Sequence, residues 1–176
     1  MKNQNQDWLK DYSEFLTADQ PAVPKELTTQ VFSKVKHLLY PSALSVFSKI
    51  FAIHIVTGFF SLAVCNQFGL NPFKTSHSLS DVFMDFGGHG FCMVACGTLF
   101  ISLSIFLAGF FLTIEETKAL RKTEFLQTLA LGLISIGLFM AVGAEVALTF
   151  GGLWILGGLI GGFAATEILW QIKRTV

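Results

Sequence analysis

FLQTLALGLISIGLFMAVGAEVALTFGGLWILGGLIGGFAATEILW, residues 125–170, is the stretch whose reading decides the fold. Only Glu145 and Glu167 carry charge along it, which makes it too long and too apolar for a helix in water. A membrane span needs about 20 apolar residues to cross roughly 30 Å of hydrocarbon. The stretch therefore supplies two spans, at about 125–145 and 152–170, with a tight reversal between Glu145 and Gly152.

Two further spans lie upstream. Gly90 to Ile114 contains no charged residue, and Val46 to Cys65 carries only Lys49 near its start and His54 near its middle. These place spans at about 90–114 and 46–65. A chain that is 52% hydrophobic and only 14% charged, with a mean hydropathy of +0.61, fits one small polytopic domain. The expected fold class is all-α: four transmembrane helices over residues 43–176, preceded by a short amphipathic helical segment over residues 1–42.

Lys and Arg set the orientation. Lys2, Lys10, Lys25, Lys34, Lys36 and Lys49 precede or open the first span, Lys118, Arg121 and Lys122 separate spans two and three, and Lys173 and Arg174 follow span four. Only Lys74 falls in the first opposite loop. By the positive-inside rule, eleven of the twelve basic residues mark the cytoplasmic side, with both termini inside an inner membrane. No broad basic face suggests direct nucleic-acid binding, and no apolar core in the first forty residues has the length of a secretory signal.

The N-terminal segment reads as two amphipathic helices. Trp8, Leu9, Tyr12, Phe15 and Leu16 share one face, opposite Asp7, Lys10, Asp11 and Glu14. Pro21 and Pro24 then interrupt the helix. Leu27, Val31, Val35, Leu38 and Leu39 form a second stripe that ends at Pro41. Three uses of these stripes stand open: a hairpin packed on itself and on the cytoplasmic ends of the spans, helices lying in the headgroup zone, and a helix-in-groove docking surface for a cytoplasmic protein.

An aromatic-rich first helix (DWLKDYSEFL), a proline-containing break (QPAVP), a second helix (KELTTQVFSKVKHLL) and then membrane spans make the layout similar to that of bacterial membrane-anchored anti-sigma factors. The resemblance is architectural and covers roughly the first fifty residues. It implies that the cytoplasmic helices hold a sigma factor until a signal releases it. The H-x-x-x-C-x-x-C motif of zinc-binding members is missing, because this segment has no Cys and its one His is His37.

Inside the spans, His89, Cys92 and Cys96 follow one another at i, i+3, i+7 on a single helical face, and Cys65 ends the first span at the same end. Simple packing, a disulfide from Cys65 to Cys92 or Cys96, and a metal or haem site that also draws on His54 all remain open. No metal or other cofactor is assigned. Glu145 lies either in the outer turn or within the third span, where an ionised carboxylate is costly; His54 pairs with it or with a serine. Glu167 sits near the cytoplasmic interface, within reach of Lys173.

Gly157, Gly158, Gly161 and Gly162 form two overlapping G-x-x-x-G pairs in span four, which calls for a close helix partner in this chain or in a second copy. Trp154 and Trp170 near the ends of that span read as interfacial aromatics. The loop from Asn66 to Gly88 reads as a partly buried lid. Nucleotide loops, nucleophile elbows and H-E-x-x-H are all missing from the sequence, so it does not read as an enzyme. The leading expectation is an inner-membrane regulator that meets the lipid bilayer and a cytoplasmic protein. The alternative is a small transporter, channel or membrane-complex subunit that uses His54, Glu145 and the cysteine-bearing face.

Overall fold

The computed structural model describes residues 4–17 and 24–175, with all their side chains except those of residues 4–9 and His37. Within them the chain is all-helical: α1 (Gln4–Thr17), α2 (Lys25–Leu39), α3 (Ala43–Val64), α4 (Leu79–Gly109), α5 (Ile114–Ala141) and α6 (Leu148–Thr175). The chain divides into two compact units, Met1–Lys36 and His37–Val176. Apart from Pro24, the break expected at residues 18–24 lies outside the described residues.

Helices α3 to α6 are each long and apolar enough to cross a membrane. Their packing is that of a protein in lipid. Large apolar side chains such as Ile55, Phe60, Leu133, Leu156 and Ile160 point outward, whereas His54, Ser104, Thr117 and Ser135 are buried. In water so much exposed apolar surface would aggregate; against hydrocarbon it costs nothing, and polar groups must instead find partners inside.

Local signals fix the ends of these helices. Ser42, just after Pro41, caps α3 by accepting from Ser45 N–H at 3.2 Å. Helix α5 opens on a reciprocal capping box: Thr113 Oγ1 accepts from Glu116 N–H at 3.2 Å, and Glu116 Oε2 accepts from Thr113 N–H at 2.9 Å. That box starts α5 at Ile114, so Lys118, Arg121 and Lys122, which precede the expected span at 125–145, ride on the same helix. Correspondingly α5 ends at Ala141, and Glu145 falls in the exposed turn before α6 instead of inside a span.

The expected lid over residues 66–88 is shorter than its sequence suggests. Asp81 Oδ2 accepts from Ser78 N–H at 2.9 Å, and α4 begins at Leu79. Gly88, at φ 71° and ψ −174°, kinks it. A side chain there would be strained, and glycine is not. Beyond the kink, residues 89–109 run for about 31 Å at 1.5 Å per residue, the thickness of a bilayer core.

The four long helices close into a ring in the order α3, α4, α6, α5, with α4 and α6 in the most extensive contact. That seam is backbone against backbone. A Cβ on Gly157 would lie 2.0 Å from Val94 O, one on Gly161 2.4 Å from Thr98 O, and one on Gly97 2.1 Å from Trp154 O. Thr98 Oγ1 crosses the seam to Gly157 O at 3.0 Å. Gly158 meets Ile101 and Gly162 meets Thr128 of α5. Gly157, Gly158, Gly161 and Gly162 thus all serve contacts within the chain.

Trp154 corrects its expected placement. It is fully buried (0% exposed) among Phe68, Phe100 and Phe139, with ring centroids 5.5–6.2 Å away, and its Nε1–H donates to Gln67 Oε1 at 2.8 Å. Trp170 is half-buried, with the Arg121 guanidinium 5.5 Å from its ring centre.

Candidate functional site

Three groups of side chains stand out, and they lie in different parts of the molecule. The first is the apolar face of α1 and α2. Of the residues expected to dock a partner, Trp8 and Leu9 have side chains outside those described. Tyr12, Phe15 (74% exposed), Leu16, Leu27, Val31, Val35 and Leu38 (69%) are all exposed. Phe32 (72%) joins them, and the sequence reading missed it. The signal was there, since Phe32, Val35 and Leu39 follow the i, i+3, i+7 rule and widen the second stripe.

The second group lies at the heart of the ring. His54 of α3 is buried (4% exposed), with Nδ1 2.8 Å from Ser104 Oγ of α4 and Nε2 2.7 Å from Ser135 Oγ of α5. Thr57 Oγ1 lies 2.8 Å from Ser104 Oγ, and the two serine hydroxyls also reach Phe100 O (3.0 Å) and Leu131 O (2.8 Å). A neutral imidazole has one donor and one acceptor nitrogen, and each serine has one proton. Either tautomer closes this network: one ring nitrogen donates to a serine that passes its own proton to a carbonyl, and the other accepts from the second serine. His54 therefore pairs with serine and not with Glu145.

The third group is a cluster of thiols. Cys65, at the C-cap of α3, and Cys92 and Cys96 of α4 are all buried free thiols. Cys65 Sγ lies 2.7 Å from Cys96 Sγ, and Cys92 Sγ lies 3.8 Å from Cys96 Sγ and 3.5 Å from Ser80 O. Gln67 shares the site, its Oε1 held by Trp154 and its Nε2–H donating to Cys65 O at 3.4 Å. The sequence reading missed Gln67, because a lone polar residue in a loop carries no periodicity. The five residues weighed for a metal do not converge. His54 is held by its serines, and His89 packs against the Phe150 ring at 5.9 Å. Among the described residues no group of three or more His, Cys, Asp or Glu side chains is arranged to hold a metal ion.

At the opposite end of the ring, charges tie the helix ends together. Lys49 of α3 pairs with Glu116 of α5 at 2.5 Å, Arg121 of α5 with Glu167 of α6 at 3.0 Å, and Lys173 Nζ donates to Leu112 O. Glu167 thus takes Arg121 as its partner, not Lys173. Arg121 reaches it because the capping box makes the start of α5 helical and brings residue 121 alongside α6.

No protein-family model, curated protein or solved structure matches this chain.

Proposed function

We propose that the protein is an inner-membrane regulator whose N-terminal helices hold a cytoplasmic protein in the manner of an anti-sigma factor, with a sigma factor as the partner. The observation that carries this reading is the exposed apolar face of α1 and α2, from Tyr12, Phe15 and Leu16 through Val31, Phe32 and Leu38. Aromatic anchors of this kind dominate helix-in-groove interfaces. The cytoplasmic placement of this face, and of both termini, rests on the eleven basic residues that share one side of the membrane.

Affinity purification of the full-length chain from its own cells, followed by mass spectrometry, tests the proposal. A soluble protein should co-purify with the wild type and be lost from the Phe15→Ala/Phe32→Ala variant, since truncating such an anchor typically costs about 2 kcal/mol or more. Insertion and abundance should not change. For a sigma factor as partner, transcripts of its target genes should rise in the variant. A variant that retains every partner and leaves transcription unaltered would remove the regulator reading.

A further inference from the structure

One feature of the ring plays no part in docking. The thiol cluster adjoins Gln67, whose Oε1 is held by Trp154, and Cys65, Gln67 and Cys96 line one end of a groove of about 560 Å³ between helices of the ring. The groove runs along α4 between α3 and α6, and its walls, including Leu99, Leu103, Phe106 and Ala165, are almost wholly apolar. It opens at hydrocarbon depth: Cys96 lies six residues, about 9 Å, beyond Gly90, where the uncharged part of α4 begins. Cys92 does not line this groove.

We infer that Cys65 and Cys96 form a redox-active dithiol whose oxidant is a membrane-soluble quinone admitted along the groove. Geometry supports the bond. The two sulfurs, 2.7 Å apart, lie within 1 Å of the roughly 2.05 Å of a disulfide. The groove favours such an oxidant, because apolar walls beside a buried pair admit a lipophilic two-electron acceptor more readily than a polar one. The step balances: two S–H bonds break, one S–S bond forms, and both protons and both electrons pass to the quinone oxygens, giving a hydroquinone. The Gln67 carboxamide, at the same end of the groove, offers an N–H donor for one of those oxygens. Cys92 stays reduced as the neighbouring thiol. This inference uses neither the docking reading nor the orientation of the chain.

Purified full-length protein, reduced and placed in lipid nanodiscs, is treated with a short-chain ubiquinone analogue, and free thiols are counted by maleimide labelling after denaturation. Oxidised wild type should retain one labelled cysteine of the three, with one hydroquinone formed per chain. Cys92→Ser should still oxidise and retain none; Cys65→Ser and Cys96→Ser should each retain both remaining thiols and form no hydroquinone. Leu103→Trp leaves the thiols in place and fills the groove. It should slow oxidation by quinone roughly tenfold while leaving the melting temperature in nanodiscs unaltered, a split that a purely structural defect would not produce. Three labelled cysteines in quinone-treated wild type, loss of the reaction in Cys92→Ser, or equal quinone rates with and without Leu103→Trp would overturn the inference.

Discussion

Along one side α4 meets backbone, and along the other it meets a histidine and its hydroxyl partners. Against α6 it is separated only by the hydrogens of Gly97, Gly157 and Gly161, with Thr98 bonded across to a carbonyl. Against α3 and α5 the contact includes Ser104, which shares His54 with Ser135. In lipid there is little hydrophobic force to press helices together, so close packing and polar pairing must do so instead. The difference lies in tolerance. Two backbones in contact cannot yield to an added atom, whereas a side-chain network can rearrange its protons and lose a member.

The largest effect should come from filling the glycine seam. Gly157→Leu places its first added carbon 2.0 Å from a main-chain oxygen, so α4 and α6 must separate. We expect a loss of about 3 kcal/mol, the upper end of overpacking costs, measured by denaturation in micelles. Gly137→Leu and Gly152→Leu supply the contrast, because nothing lies within 4 Å of a Cβ at either position. Equal melting of Gly157→Leu and Gly152→Leu would show that the seam does not hold α4.

A smaller loss should follow from opening the polar side. His54→Leu removes two hydrogen bonds, but Ser104 and Ser135 keep their carbonyl partners at 3.0 and 2.8 Å, so no hydroxyl is stranded. Buried polar contacts in membrane bundles average about 0.6 kcal/mol, and the substitution should therefore cost about 1 kcal/mol. A loss equal to that of Gly157→Leu would place the two sides on a par and break the comparison.

The same contrast separates what the sequence discloses from what it withholds. The glycine spacing in span four announces a tight seam, because G-x-x-x-G is a local pattern; that α4 is its chief partner is a matter of ring order, which no local pattern encodes. His54 stands out as a polar residue in a span, yet its partners lie 50 and 81 residues away. The start of α5 is legible in T-I-E-E at residues 113–116, which spells the capping box, so the charged residues from Glu115 to Glu124 continue the helix ahead of its apolar part. Trp154 was judged by its distance from the end of the span, a criterion blind to which face of α6 it occupies.

The smallest effect belongs to the charged end of the ring, where α5 and α6 are joined by Arg121 and Glu167. Their side chains are 44% and 45% exposed, so water and salt screen the 3.0 Å pair. Arg121→Ala also removes the guanidinium from the face of Trp170, at 5.5 Å, and should cost more than Glu167→Ala. A double-mutant cycle isolates the pair from that ring contact, and its coupling energy should be about 0.5 kcal/mol at low salt and fall as salt rises. A coupling above about 2 kcal/mol that ignores salt would mean that the pair is shielded as a buried bridge is. Charge between α5 and α6 would then rival the glycine seam between α4 and α6 in holding the ring together.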